Sequence, residues 1–157
     1  MRDWRRLGYW RTDVSIDRSV SELRKALGRH GIGALRTTTA EDPWTILVEW
    51  EQPTRANVDM VVTFEVTIPA DELKRYTAAQ VDGIKRQAVR LIFHTVKNML
   101  DAVEAGIIAL DEAFMSHFTT YRGGARITVG ELVFEQIAQT GQLAPALVQR
   151  ALPAGKP

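Results

Sequence analysis

The chain contains no cysteine. It therefore has no disulfide framework and no thiolate metal site. Histidine is nearly as scarce. His30, His94 and His117 are the only three, and none stands in an HxxxH or HExxH spacing, so a histidine metal centre would need distant partners. No apolar run approaches the ~18 residues that a membrane span requires. Arg5-Arg6 has no apolar stretch behind it, so the N-terminal segment reads as neither a secretory nor a twin-arginine signal. Also missing are the G-x-S-x-G nucleophile turn, the phosphate-cradling G-x-x-x-x-G-K-[ST] loop and the G-x-G-x-x-G dinucleotide fingerprint. Gly28, Gly31 and Gly33 run as G-x-x-G-x-G behind a helical segment and read as a helix stop. The expectation is a soluble cytoplasmic protein with no membrane partner, no cofactor and little claim to catalysis.

What is present suits one ordinary globular domain: 157 residues, 45% hydrophobic and 25% charged. The formal net charge is +1, but the charges are segregated. Residues 1–36 hold nine basic and four acidic side chains, and residues 37–73 hold eight acidic ones against Arg55 alone. Residues 74–97 carry six basic and one acidic, and residues 98–117 carry four acidic and no basic. Blocks of this kind bear on encounter and partner choice more than on fold. Either the blocks neutralise each other, or the two basic ones form a binding face.

Periodicity gives the elements. Residues 1–14 mix Arg2, Arg5, Arg6 and Arg11 with Trp4, Tyr9 and Trp10, too irregular for a helix, and read as a docked arm or edge strand. Ser19-x-x-Glu22 has capping-box spacing and predicts a helix over 19–30. Strand-like segments follow at Ile32–Thr38, Thr45–Trp50 and Met60–Ile68, with Gln52–Asn57 as a hairpin loop. Thr77-x-x-Gln80 opens the strongest helical period, predicting a helix over 78–105 with Val81, Ile84, Ala88, Leu91, Ile92, Thr95, Met99 and Val103 as its apolar stripe. A short helix over Asp111–Phe118 and a tight hairpin around Gly123-Gly124 come next. Thr128-x-x-Glu131 then caps a last helix to about Gln139, ended by Gly141. The expected fold is α+β: a three-stranded antiparallel sheet packed on a long helix in the order α-β-β-β-α, with a C-terminal hairpin and helices. The expected divisions are an arm at 1–14, one domain at 15–142 and an Ala-, Pro- and Gly-rich tail at 143–157.

Three patterns could carry chemistry. Glu49, Glu51, Asp59 and Glu65 flank the strand hairpin, and converging carboxylates can hold Mg²⁺ for a nuclease. Only Arg55 accompanies them, so a solvated sheet face is the competing expectation. His94 lies between Arg90 and Lys97 on the polar side of the long helix and reads as solvated. The third pattern is the arm. Cations neutralise phosphates and aromatic faces stack on unpaired bases. Arg2, Trp4, Arg5, Arg6, Tyr9, Trp10 and Arg11 are therefore candidate nucleic-acid contacts, extended by Lys85, Arg86, Arg90 and Lys97 on the helix and by Arg24, Lys25 and Arg29 before it. The alternative is that the aromatics pack on the sheet or a partner while the arginines stay wet.

The stretch from Lys97 to Leu147 resembles a group of short uncharacterised proteins of phages and mobile elements in actinobacteria and relatives. Leu100, Ala102–Ile107, Phe114, Thr128–Glu131 and Pro145 carry the likeness, and Arg122-Gly-Gly-Ala125 departs from the group's Pro-Asp-Gly type turn. The resemblance implies a phage or mobile-element setting in a bacterial host cell, and transfers no site. The α-β-β-β-α order, with Lys85-Arg86-Gln87-Ala88 near the start of the long helix, is also similar to a double-stranded-RNA-binding domain, although the helix is far too long and the Gly-rich approach is missing.

Together these observations predict a non-enzymatic accessory protein that binds single-stranded nucleic acid through the arm and the basic helix side. The alternatives are an assembly subunit forming a homo-oligomer or joining a phage protein partner, and a carboxylate-metal nuclease.

Overall fold

Alternation of apolar residues in the middle of the chain builds the sheet. In the computed structural model, which describes residues 1–141, β1 (Leu35–Glu41), β2 (Trp44–Pro53) and β3 (Asp59–Ile68) form an antiparallel meander. The register sets Trp44 against Ile68, Ile46 against Val66, Val48 against Phe64 and Trp50 against Val62. These residues share one face, because successive side chains alternate, and that face enters the core. The other face carries Thr45, Glu49, Glu51, Val61, Thr63, Glu65 and Thr67.

The C-terminal hairpin, β4 (Phe118–Arg122) and β5 (Ala125–Thr128), is joined to this sheet. The expected three-stranded sheet is therefore five-stranded, in the order β1-β2-β3-β4-β5. β4 pairs with β3 only at Val61↔Thr119 and Val62↔Phe118. Such a short, long-range pairing leaves no local mark in the sequence. Gly123 (φ 58°) and Gly124 (φ 82°) supply the two left-handed positions that the tight turn requires.

The helices confirm the long spine and correct the first cap. α1 spans Ile16–Gly28, with Ser15 rather than Ser19 as its N-cap; the Ser15 hydroxyl accepts from the Arg18 N–H. Ser19 lies one turn inside and is fully buried, and Glu22 turns to Arg18 and Arg90 instead. A one-turn helix, α2 (Ala70–Leu73), precedes α3 (Ala78–Glu104), whose capping box is complete: Thr77 accepts from the Gln80 N–H and Gln80 from the Thr77 N–H. The apolar stripe of α3 is rotated from the expected one. Ile84, Gln87, Ala88, Val89, Ile92, Phe93, Val96 and Leu100 are buried, whereas Thr95 is exposed. α4 (Leu110–Phe114) and a 3-10 turn over Met115–His117 replace the single short helix, and Phe118 already belongs to β4. α5 (Val129–Thr140) has the expected capping box at Thr128 and Glu131, and Gly141 closes it at φ 67°.

Leu23 and Leu27 of α1, the α3 stripe, the apolar sheet face and Phe114 form one core cluster. Trp50 anchors it, stacked on Phe64 and edge-on to Phe114. The tail at 143–157, with Pro145, lies outside the described residues.

Candidate functional site

The arm does not stand free. Trp4 is 2% exposed, and its indole N–H donates to Glu72 Oε1 at 2.6 Å. Arg2 reaches the same oxygen at 3.2 Å and also donates to the Thr67 carbonyl. On the other side the buried Gln87 amide donates to the carbonyls of Trp4, Leu7 and Gly8 at 3.0, 3.2 and 2.8 Å. Flipping that amide would set its oxygen against three carbonyls, so these contacts fix its orientation. Tyr9 stacks on His94 with centroids 4.2 Å apart, and Trp10 packs tilted against Tyr76. His94 is thus packed rather than solvated. Burial, then the nearby Arg90 and Lys97, hold its pKa below the ordinary histidine value.

These contacts decide what the arm can offer a ligand. The Trp4 ring is enclosed, and one face of Tyr9 is already stacked. Arg6 pairs with Asp3 and Arg2 with Glu72, and the Arg5 guanidinium lies 5.4 Å over Tyr76. Only Arg5 and Arg11 of the arm arginines lack an acidic partner among the described residues. The basic side of α3 is similarly engaged. Lys85 pairs with Glu41, Arg90 with Glu22 and Lys97 with Asp101, while Arg86 donates to the Thr12 carbonyl. The Arg90 hydrogen bond holds the Glu22 carboxyl below its usual range. Lys85–Glu41 and Arg2–Glu72 join the basic blocks directly to the acidic 37–73 segment.

The carboxylates behave likewise. Glu49 and Glu65 both receive Arg126, at 3.2 and 2.8 Å, so a guanidinium occupies the space a divalent ion would need between them. Asp59 lies at the far end of β3, opposite Pro53. Among the described residues no group of three or more acidic or histidine side chains is placed to hold a metal ion. Arg55 instead crosses to Asp111 and Glu112, at 2.9 and 2.7 Å, which lowers the pKa of both carboxyls.

Where β4 diverges from β3, a polar groove of about 550 Å³ opens between β3 and β5, lined by Thr63, Glu65, His117, Arg126, Thr128 and Glu131 among others. Each of its charged groups has an intramolecular partner. Glu131 is held by the Thr128 N–H and hydroxyl, which lower its pKa. His117 stacks on Phe64 and bonds the Thr63 backbone, and burial lowers its pKa despite that bond. The groove thus presents no free nucleophile–base pair of the kind covalent catalysis needs.

Two surfaces are left largely uncovered, although Glu41 of β1 pairs with Lys85 and Glu135 of α5 with Arg122. α5 contains no buried residue, and its Phe134 is 73% exposed and Ile137 39%. β1 is exposed from Arg36 to Glu41 on both faces. Sequence reasoning assigned neither a role. The moderately apolar Val-Gly-Glu-Leu-Val-Phe pattern of α5 is the one local sign that could have pointed there.

These features define an α+β protein with a five-stranded meander and its main helices on the apolar sheet face. No family model, no curated protein and no solved structure matches the chain. No helix among the described residues is long and apolar enough to cross a membrane.

Proposed function

We propose that this chain is a protein-interaction or assembly subunit, working as an accessory protein of a phage or mobile element. The observation that carries the reading is α5: a fully capped helix with no buried residue that presents Phe134 and Ile137 to water. Exposed aromatic and aliphatic side chains on a rigid element favour protein contacts. The carboxylate pairing of Arg2, Arg6, Lys85, Arg90 and Lys97 supports the same reading, since it engages five of the candidate nucleic-acid contacts. The residues that carry the phage-protein resemblance support the fold rather than a site. Leu100 and Phe114 are buried, Gly106 has φ 71°, and Thr128 with Glu131 caps α5.

Single-stranded nucleic acid binding is the competing outcome. It would draw on exposed cations with no acidic partner among the described residues: Arg5 and Arg11 of the arm, Arg24, Lys25, Arg29 and Arg36, and Lys74 and Arg75 before α3. Light scattering and fluorescence anisotropy with labelled oligonucleotides, each at low and high salt, separate the two. Self-association that Phe134→Ser weakens supports the proposal. A monomer whose salt-sensitive oligonucleotide binding is lost in an Arg5→Ala, Arg11→Ala double variant overturns it.

A further inference from the structure

Besides the outer edge of the short β5, the sheet leaves backbone unpaired at two places, and the protein treats them differently. Beyond Val62, β3 loses β4, and the opening is stoppered by side chains: Arg2 donates to the Thr67 carbonyl, and His117 bonds the Thr63 backbone. The outer edge of β1 has no such device. No side chain among the described residues bonds the backbone of residues 35–41, and the helical layer stops short of the strand, so Thr37, Thr39 and Glu41 are exposed on the face that is buried in β2. β1 reads Leu-Arg-Thr-Thr-Thr-Ala-Glu, with no proline, glycine or lysine and three β-branched residues at its centre. An uncovered edge of this composition is a template for another strand.

We infer that the occupant of this edge is a second copy of the chain, paired antiparallel through β1 with Thr38 on the two-fold axis. This rests on the assembly reading above and names its partner. The argument is self-complementarity. In that register Thr38 faces its own copy and Thr37 faces Thr39, a run of threonine pairs of the kind that stabilises sheets. Arg36 falls opposite Ala40, whose small side chain leaves the guanidinium free to reach Asp42, just past the end of the neighbouring strand. Neither Arg36 nor Asp42 has an ion-pair partner among the described residues. The two-fold repeats the contact, so each end of the paired strands gains one. A parallel pairing would instead set Arg36 beside Arg36 and Glu41 beside Glu41. The two sheets become one ten-stranded sheet, with both sets of helices on the same side. Seven residues from each copy form a small interface compared with the ~20–30 a side of stable complexes, so the dimer is concentration-dependent rather than permanent.

The absence of cysteine makes the test clean. Thr38→Cys introduces a single thiol at the axis, and directly opposed residues in an antiparallel pair have Cβ atoms about 4.5–5.5 Å apart, close to disulfide reach. Thr39→Cys is equally exposed but faces residue 37 of the other copy. Under mild oxidation Thr38→Cys is expected to form a covalent dimer at least about tenfold faster than Thr39→Cys. Sedimentation velocity is expected to show a monomer–dimer equilibrium that Arg36→Glu shifts to monomer and that Arg36→Lys largely preserves. Equal cross-linking at 38 and 39 would overturn the β1 pairing. So would a dimer untouched by Arg36→Glu but lost in Phe134→Ser, and in that case the assembly reading stands. A monomer that binds oligonucleotides defeats both.

Discussion

The arm and α5 lie near opposite ends of the described chain, and each does what its composition argues against. The arm is rich in arginine, yet it closes the core. α5 is the more apolar of the two, yet it contributes no buried residue. The difference lies in what the rest of the fold brings to each. The arm meets Glu72, Tyr76, Gln87 and His94, so its indole N–H, its carbonyls and its rings all find partners. α5 meets the β4–β5 hairpin, where Arg122 pairs with Glu135, and the 3-10 turn at Met115–His117, where Gly130 passes so closely that a Cβ would stand 2.9 Å from the Ser116 carbonyl oxygen. That contact anchors only the start of the helix. Burial is set by complementary groups elsewhere in the chain, and composition does not report them.

The largest expected effect separates the two regions. Trp4→Ala removes a large enclosed ring and one of the two donors to Glu72, and should cost about 3–5 kcal/mol of folding stability. Phe134→Ser, at an equally aromatic but exposed position, should stay within about 0.5 kcal/mol. Urea denaturation midpoints measure both. Similar costs for the two would dissolve the contrast between a structural arm and a displayed helix.

Gln87→Leu sharpens the comparison further. It keeps the volume but leaves three arm carbonyls without their donor, at about 1–3 kcal/mol. Part of that cost should be local, because the arm can lift away while α3 stays folded. Trypsin cutting after Arg5, Arg6 and Arg11 should therefore accelerate well before global unfolding. If cleavage there tracks global stability alone, the arm and core unfold as one unit. Thr128→Ala, at the other end, removes the hydroxyl that caps α5 and should cost about 1 kcal/mol. Helix content should fall slightly and the arm should keep its protection.

How much of this was legible follows the range of the forces involved. Local chemistry was readable: the Thr77/Gln80 and Thr128/Glu131 boxes, the Gly123-Gly124 turn and the alternation of β2 and β3 all form as expected. Ser15 was missed because Ser19-x-x-Glu22 has the same spacing one turn later, and only packing shows that Ser19 is buried and Glu22 belongs to Arg90. The fourth strand, and through it the fifth, was missed as a sheet member because only Val61↔Thr119 and Val62↔Phe118 join it to β3, pairs far apart in the chain. The arginine–aromatic arm was visible, and packing of its aromatics was one of its two readings, but the groups it packs on were not visible. Trp4 and Glu72 are 68 residues apart, and nothing near either names the other. Arg126, between Glu49 and Glu65, is separated from them by a similar distance.

The smallest expected effect is a pH slope that assigns one histidine to each region. His94 supports the arm through Tyr9, and His117 holds the β3 edge beside the C-terminal hairpin. Both are pushed below the ordinary value of 6.5, chiefly by burial. A depressed histidine stays neutral in the folded protein, while the unfolded chain takes up its proton near that ordinary value. Their contribution is therefore complete above about pH 6.5 and is lost as pH falls toward the folded values, because the unfolded state then binds more protons. The depressed carboxyls of Glu22, Asp111, Glu112 and Glu131 act in the same direction only near or below their ordinary values of 3.8 to 4.5, so the range from about pH 7 to 5 isolates the histidines. Urea midpoints should fall across that range, and His117→Gln should flatten the slope. His94→Gln should also flatten it, and alone should remove the pH dependence of tryptic cleavage in the arm. If His117→Gln changes arm cleavage as much as His94→Gln does, the two regions are coupled through α3, and the line drawn between them is in the wrong place.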